Sequence, residues 1–173
     1  FVRWLDHRYG KTKKRLVQTG GGLGDFKRSK SMAQAVFVFA EPVSLALDQI
    51  KTRVFPVADS GFNPYSVVLA TNEKFLREHP DLVRGVQKAL RRGWTAYLAD
   101  PVSTNRALAK MNPAMTLKAM NLAAKIIAPY VRGDEAQLGR MTGHRWAQLG
   151  RQLETVGVVK SAPNAESCFH NLD

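Results

Sequence analysis

The stretch VFVFAEPVSLALDQIKTRVFPVADSGFNPY, residues 36–65, alternates apolar runs with a helical pattern and a loop rich in turn-forming residues. The run over residues 35–40 is apolar at every position, which is typical of a strand buried on both faces. The Glu41-Pro42 pair places proline in the first turn of a helix that the apolar spacing extends to about residue 49. Short apolar runs next to turn signals predict three further strands, over residues 15–19, 53–57 and 65–70. Because strand and helix alternate here, the sequence predicts an α/β fold with a parallel or mixed sheet covered by helices.

From residue 71 onward the pattern becomes helical, so the break in organisation falls near residues 60–65. Over residues 81–98 the apolar side chains recur on one stripe and the basic side chains lie away from it, as in an amphipathic helix. The pairs Asp100-Pro101 and Asn112-Pro113 each combine a capping side chain with a proline. We therefore expect one helix to begin at each pair.

A last helix is predicted over residues 142–156, with Thr142 as its N-cap. Met141 precedes this cap and is placed to pack on Trp146 in the first turn, as in a hydrophobic staple. On the N-terminal side, the spacing of apolar residues predicts two short helices, over residues 1–9 and 23–30. The C-terminal portion of the chain is thus expected to be rich in helix.

The net charge is strongly positive, because 26 Lys and Arg outnumber 14 Asp and Glu and give a formal charge of +12. Residues 1–30 carry much of this excess. Such a charge favours anionic partners: nucleic acid, a membrane surface or a small anion. However, the basic cluster has no interleaved aromatic residues and matches no nucleic-acid-binding signature, so specific binding to nucleic acid is not expected.

Several classes of protein and site are excluded by the remaining composition. The longest purely apolar run, residues 35–40, is too short to cross a bilayer. The single cysteine, Cys168, cannot form an internal disulfide, and the four histidines are far apart in the sequence, so no metal site and no cofactor are expected. The chain starts at Phe1 without an initiator methionine, which indicates a mature or truncated chain.

At residues 36–65 the sequence resembles the substrate-binding proteins of ABC importers that capture thiamine-precursor pyrimidines, riboflavin, nitrate, taurine or alkanesulfonates. The likeness continues through SVVLATNEKFLREHPDLVRGVQKALRRGWTAYLADP, residues 66–101, which is similar to a strand and a long helix of that family. Met141-Thr142 and Arg145-Trp146, followed by residues 156–159, are similar to the family's closing helix. The resemblance covers essentially the whole chain.

The resemblance implies part of a two-lobed periplasmic-binding-protein fold of type II-like architecture. Residues 1–64 would be the C-terminal part of the second, inserted lobe, and residues 65–173 the returning segment of the first lobe. The implied protein is a monomeric, non-enzymatic solute-binding component whose partners are a small-molecule ligand and an ABC permease in the membrane. Its implied location is the periplasm or the outer face of a membrane, and the first half of such a protein would supply the other wall of its cleft.

Glu41 is the first candidate ligand contact, because it stands where the predicted strand ends and a helix begins. Ligands of open parallel sheets bind outside the carboxyl ends of the strands, and a carboxylate there accepts hydrogen bonds from amino or ring N–H groups. The resemblance to pyrimidine binders also implies that this Glu faces the cleft. Alternatively, Glu41 only caps its own helix.

Four further residues complete the predicted site. Gly21 and Gly22 follow a predicted strand, where free backbone N–H groups could hold a phosphate, sulfonate or carboxylate, although a plain tight turn is the alternative. Asn63 and Tyr65 lie where chains of the resembling family cross between lobes, and an amide beside a phenol suits a flat heterocycle. The alternative for this pair is a hinge turn whose backbone is fixed by Pro64.

The residues contain no recognisable set of catalytic groups, so binding is the favoured function and no enzyme activity is predicted. Three alternatives stay open at this point. The same fold also supports enzymes, such as pyrimidine-precursor synthases and menaquinone-pathway enzymes. The net charge allows a module that binds nucleic acid or an anionic surface. Finally, the chain could be a folded fragment without independent activity.

Overall fold

The computed structural model of the protein describes residues 1–18, 20–132 and 138–172. Within these ranges the chain forms eight α-helices and two short 3₁₀ helices, at Val57–Ser60 and Ala165–Ser167. The α-helices, in chain order, are α1 Val2–Tyr9, α2 Gly24–Arg28, α3 Glu41–Leu47, α4 Glu73–Glu78, α5 Pro80–Ala99, α6 Pro101–Met111, α7 Leu117–Arg132 and α8 Gly143–Thr155.

Most helices begin where the sequence predicts, because their starts depend on local side chains. The Asp100 carboxylate accepts hydrogen bonds from the backbone N–H groups of Val102 and Ser103, both at 3.2 Å, and so caps α6. Hydrogen bonds from the side chain and then the backbone of Ser103 lower the pKa of Asp100. Thr142 caps α8 by accepting from the N–H of Arg145 at 3.3 Å. The predicted helices over 81–98 and 142–156 are confirmed as α5 and α8.

The helix predicted to begin at Asn112-Pro113 begins later, at Leu117. The side chain of Asn112 accepts from Ala114 N at 3.2 Å, and its carbonyl accepts from Met115 N at 3.0 Å, so this residue closes a turn. Thr116 is the cap instead, because its hydroxyl accepts from the N–H of Ala119 at 3.2 Å. A capping residue followed by proline is therefore a turn signal as well as a helix signal.

No strand is present among the described residues, so the predicted sheet is wrong for this part of the chain. Residues 35–40 contain a turn closed by Ala40 N to Phe37 O at 2.9 Å, and the segments 15–18, 53–56 and 65–70 are irregular; residue 19 lies outside the described residues. A strand is stable only when a neighbour accepts and donates its backbone hydrogen bonds. Because these segments have no such neighbour, their apolar side chains remain exposed to solvent. Val67, for example, is 85% exposed.

The apolar core is small and lies mainly between α3 and α7. Val43 and Leu45 on α3, together with Met120 and Ala124 on α7, are buried, and the two helices pack against each other. The chain exposes 12967 Å² in total. A compact monomer of this mass exposes roughly 8,400 Å², so much more surface than usual faces the solvent.

A chain of polar side chains links α5, α6 and α7. Asn105 on α6 is only 1% exposed. Its Oδ1 accepts from the Tyr97 hydroxyl at 3.2 Å, and its Nδ2 donates to Asn121 Oδ1 at 2.9 Å. These two bonds satisfy a buried amide that would otherwise be costly, and they fix the orientation of Asn121 on α7.

Helix α8 is covered on one side by the segment that follows it. Gly150 in the middle of α8 is buried, and a Cβ there would lie 3.1 Å from Ala162 Cβ and 3.4 Å from Pro163 Cδ. The 3₁₀ helix at Ala165–Ser167 also packs on α8. Because Gly150 has no side chain, the following segment approaches the helix backbone closely.

Candidate functional site

The turn over residues 57–65 is held between two helices that are distant in sequence. Trp4 on α1 donates its ring N–H to the Ser60 carbonyl at 3.0 Å. Gln152, which is buried on α8, donates from Nε2 to the Gly61 carbonyl at 2.8 Å. Phe62 is buried beneath the turn, with its ring 6.2 Å from that of Trp4. The turn therefore has the packing of a core element although its sequence is typical of a loop.

Arg145 in the first turn of α8 grips the same segment through three hydrogen bonds. Its Nε donates to the Asn63 carbonyl at 2.8 Å, and its Nη2 donates to Asn63 Oδ1 at 2.9 Å and to the Pro64 carbonyl at 3.0 Å. The planar guanidinium suits this role because its N–H groups form a rigid fork. The Thr142 cap places Arg145 on the turn of α8 that faces residues 63–65.

Tyr65 completes the contact with α8. Its hydroxyl oxygen accepts from the backbone N–H of Thr142 at 2.9 Å, and the Arg145 guanidinium carbon lies 4.1 Å from its ring centre. The Trp146 ring lies 5.9 Å from the Tyr65 ring. We call Asn63, Tyr65, Thr142, Arg145 and Trp146 the Asn63–Tyr65 cluster.

The cluster retains hydrogen-bond donors that a ligand could use. The Tyr65 hydroxyl accepts from Thr142, so its own proton remains to be donated. The oxygen of the Asn63 amide is bound by Arg145, so its NH₂ group is the part left for another partner. Donors beside an aromatic ring and a guanidinium suit a flat ligand that carries carbonyl or anionic oxygens.

Glu41 lies at the start of α3, half-buried, and uses its side chain locally. Its Oε2 accepts from the backbone N–H of Phe37 at 3.1 Å. Because residues 35–40 form a turn instead of a strand, Glu41 follows a turn and does not stand at the end of a sheet. Because no side-chain hydrogen bond caps α3, this contact holds the preceding turn and gives no support to the capping alternative. A role for Glu41 in ligand binding stays a prediction.

Gly21 and Gly22 lie in an exposed bend before α2. Gly21 has φ +82°, a conformation that favours glycine, and Gly22 accepts from Gln34 Nε2 at 3.3 Å. Helix α2 is only five residues long, so its start provides little of the dipole that attracts anions. No hydrogen bond within the described ranges connects these glycines or Glu41 to the Asn63–Tyr65 cluster, and an anion cradle at the glycines stays a prediction.

Two grooves lie elsewhere on the molecule, and none of the five predicted site residues lines either of them. The larger, about 500 Å³, lies between α5 and α6 and is lined mainly by apolar side chains, including Leu90, Trp94, Tyr97 and Leu108. The smaller, about 310 Å³, lies between α3 and α7 and is lined by Leu47, Lys118, Asn121, Leu122 and Lys125.

Part of the basic N-terminal stretch is neutralised by ion pairs. Lys14 pairs with Asp6, Arg28 pairs with Asp25, and Lys27 pairs with Asp48 across 2.7 Å. The other cations of the stretch include Lys11, Lys13 and Arg15 in the exposed segment after α1. The local charge is therefore smaller than the sequence total suggests.

Comparison with known protein families gives a match in the central part of the chain. The family model described as NMT1/THI5 like matches residues 24–104, from α2 into α6. These residues are similar to the NMT1/THI5-like domain. The family is one of ABC substrate-binding proteins of the nitrate, taurine and thiamine-precursor type, so the predicted resemblance is confirmed. Comparison with curated proteins and with solved structures gives no significant match.

The matched residues 24–104 include Glu41, Asn63 and Tyr65, while Arg145 and Trp146 lie outside the match. The described residues contain no cluster of three or more His, Cys, Asp or Glu placed to hold a metal ion. None of the described helices combines the length and apolar character of a membrane span. Arg145 is the functional candidate that the site prediction missed. Its only signal was its place in the Met141-Thr142 and Arg145-Trp146 pattern.

Proposed function

We propose that the chain is the solute-binding component of an ABC importer, or a C-terminal fragment of that component. The ligand that it captures is a small heterocyclic or anionic metabolite, such as a thiamine-precursor pyrimidine, riboflavin or a sulfonate. The NMT1/THI5-like domain at residues 24–104 supports the general role. The observation that carries the proposed site is the convergence of Asn63 and Tyr65 with Arg145 in one cluster. Binding takes place without covalent chemistry.

In this proposal the Asn63–Tyr65 cluster supplies one wall of the binding site. The Asn63 NH₂ group and the Tyr65 hydroxyl donate to oxygen atoms of the ligand, and the aromatic rings contact its flat face. Glu41 would accept from an amino or ring N–H group, as its half-buried carboxylate lies at the start of α3. Closure of a second lobe over the ligand would exclude water and present the closed form to a permease at the membrane.

The test is a calorimetric titration of the protein with a thiamine-precursor pyrimidine, riboflavin and taurine, in parallel. We expect heat of binding from one of these solutes. The Asn63→Asp variant keeps the oxygen that Arg145 binds but replaces the NH₂ donor, so it should lower affinity roughly tenfold without unfolding the chain. Asn72→Asp is the matched control, because Asn72 also uses only its side-chain oxygen, to cap α4.

Glu41→Gln tests the second predicted contact. The amide oxygen of glutamine can still accept from Phe37 N, so the local turn is preserved while the charge is removed. A fall in affinity would support a direct ligand contact, and unchanged affinity would leave Glu41 only its local contact with Phe37. Absence of binding to all three solutes by the folded protein would contradict the proposed function. Turnover of a bound pyrimidine would instead favour an enzyme on the same fold.

A further inference from the structure

Helix α5 carries a row of apolar side chains that the rest of the described chain leaves open. Leu82, Val86, Leu90 and Trp94 follow one another at intervals of four residues, and each is between 37% and 57% exposed. Side chains four residues apart lie on the same face of a helix, so these four form one continuous row, here called the α5 stripe. Such a stripe normally faces a protein core. Its exposure indicates that it has a partner of its own.

The side of α5 away from the stripe is basic. At 3.6 residues per turn, Lys88, Arg91 and Arg92 all fall on that side. The only acidic side chain in the sequence of α5, Asp81, already pairs with Arg84. Among the residues that the structure describes, no ion pair neutralises the other three cations. The polar side of the helix therefore keeps a positive charge, within a chain whose formal charge is +12.

We propose that the α5 stripe binds the surface of a membrane that contains anionic lipids. An amphipathic helix with Leu and Trp on one side and Lys and Arg on the other lies in the plane of a bilayer surface, with its apolar side below the headgroups. The stripe enters the outer part of the acyl region, while Lys88, Arg91 and Arg92 face the lipid phosphates. With 20 residues, α5 is about 30 Å long, so it contacts several headgroups at once.

The charge of α5 favours a membrane over a second copy of the chain. Pairing α5 with the same helix of a copy would bring two basic helices together, and like charges oppose that contact. A peptide helix held in the groove between α5 and α6 would gain no ion pair from its walls, because none of the residues that line this groove is charged. Anionic headgroups surround an embedded helix on both sides, so they reach the cations behind the stripe.

The test is co-sedimentation of the full chain with phosphatidylcholine vesicles that either contain or lack phosphatidylglycerol, an anionic lipid. We expect the anionic vesicles to bind at least roughly tenfold more tightly, because the attraction of several basic side chains adds to that of the stripe. Binding should weaken as the salt concentration rises. On binding, the tryptophan emission should shift to shorter wavelength. Trp94→Phe should remove this shift, and the control Trp146→Phe should keep it.

A pair of double variants tests the apolar stripe. Leu82→Ser with Leu90→Ser removes apolar area from the stripe without a change of charge, so affinity for the anionic vesicles should fall roughly tenfold or more. The matched control is Leu16→Ser with Val67→Ser, which removes similar area from exposed segments outside α5. Because those side chains do not belong to the stripe, the control should change affinity less than about twofold.

A second pair tests the basic side of the helix. Lys88→Gln with Arg92→Gln should lower affinity for the anionic vesicles roughly tenfold at low salt, because both cations leave the surface that faces the headgroups. The matched control is Arg151→Gln with Lys160→Gln, which removes the same charge from exposed positions on α8 and after it. Screening makes charges outside the contact count little, so this control should change affinity less than about twofold.

The same measurements give the results that would overturn the proposal. Absence of binding by the folded chain, or equal binding to neutral vesicles, rejects an anionic membrane as the partner. Weakening by a control as large as that by its α5 variant shows that binding follows apolar area or net charge in general. Dimers in analytical ultracentrifugation that the Leu82 and Leu90 variant abolishes would place a second copy on the stripe instead.

Vesicle binding by α5 is independent of solute capture. Asn63→Asp should leave it unchanged, and the solute titrations need no vesicles, so a failure of one proposal is distinguishable from a failure of the other. Circular dichroism checks that each variant is folded. If the Leu82 and Leu90 variant unfolds, the Lys88 and Arg92 variant still decides the question, because both of these side chains are exposed and their loss removes no core packing.

Discussion

Residues 57–65 and residues 66–70 are neighbours in the chain, yet they differ in how well they are packed. The first segment is fixed by hydrogen bonds from Trp4, Arg145 and Gln152 and buries Phe62. The second is a run of apolar residues that lies exposed and irregular before α4. The polar turn is thus well packed, while the apolar run is not. Burial here depends on which partner reaches a segment, and hydrophobicity alone does not decide it.

The largest expected effect comes from removing a side chain beneath the turn. Phe62 is 9% exposed and contacts Trp4, so Phe62→Ala should lower the free energy of unfolding by about 3 kcal/mol through lost burial and a cavity. Phe55 is 70% exposed, and Phe55→Ala should change it by less than about 0.5 kcal/mol. Urea denaturation followed by tryptophan fluorescence measures both. Equal losses in the two variants would show that the packing of Phe62 beneath the turn adds nothing to stability.

A smaller effect is expected from the hydrogen bond that α8 makes to the turn. Gln152→Ala removes a part-buried hydrogen bond to the Gly61 carbonyl, so the free energy of unfolding should fall by about 1 kcal/mol. Gln148 is exposed on the same helix, and Gln148→Ala should be nearly neutral. The same denaturation assay compares the pair. A neutral Gln152→Ala would mean that water replaces this bond at no cost.

Tyr65 sits at the boundary between the two segments, so it tests where the fixed region ends. Tyr65→Phe keeps the ring near Arg145 and removes only the oxygen that accepts from Thr142, so it should cost about 1 kcal/mol. Tyr130→Phe, at a largely exposed ring, is the control and should have no effect. Thermal unfolding by circular dichroism resolves a change of this size. A loss no greater than the control's would place the boundary before Tyr65.

The smallest effect on stability is expected at the α6 cap. Its Asp100 carboxyl can be protonated, whereas the hydrogen bonds of the turn involve no titrating acceptor. The pKa of Asp100 is lowered in the folded chain, so the folded state binds this proton more weakly than the unfolded state does. Its contribution to stability is therefore present above about pH 4, the ordinary value for an aspartate, and is lost as pH falls through the folded value. Arg145 and Gln152 donate to neutral acceptors, so their bonds persist over this range.

The measurement is the difference in unfolding free energy between the unsubstituted chain and Asp100→Asn as pH is lowered. We expect the difference to shrink in acid, because the protonated carboxyl loses its advantage over the amide. A difference that stays constant down to pH 3 would contradict a lowered pKa at this cap.

The sequence predicted the elements that depend on neighbouring residues. The cap at Asp100, the cap at Thr142 and the contact of Met141 with Trp146 all form, the last with Trp146 Nε1 at 3.3 Å from the Met141 sulfur. Each needs only residues within one or two turns of helix. The strands failed for the opposite reason, since an apolar run becomes a strand only when a partner lies beside it.

The candidate site shows the same division. Asn63 and Tyr65 could be selected because a turn containing proline, an amide and a phenol is visible in the sequence. Arg145 could not be assigned to them, because it is 82 residues away from Asn63 and an arginine in a basic chain carries no distinguishing signal. The polar link from Tyr97 through Asn105 to Asn121 was missed for a similar reason, as it joins three helices whose crossing the pattern does not specify.

The partners of the turn also determine when it can be completed during synthesis. Gln152 lies 91 residues beyond Gly61. During synthesis the turn therefore leaves the ribosome before the residues of α8 that bind it. Before α8 emerges, the Trp4 ring is already available to contact Phe62. Because contacts between distant residues slow folding, the turn reaches its final packing only after α8 has been synthesised.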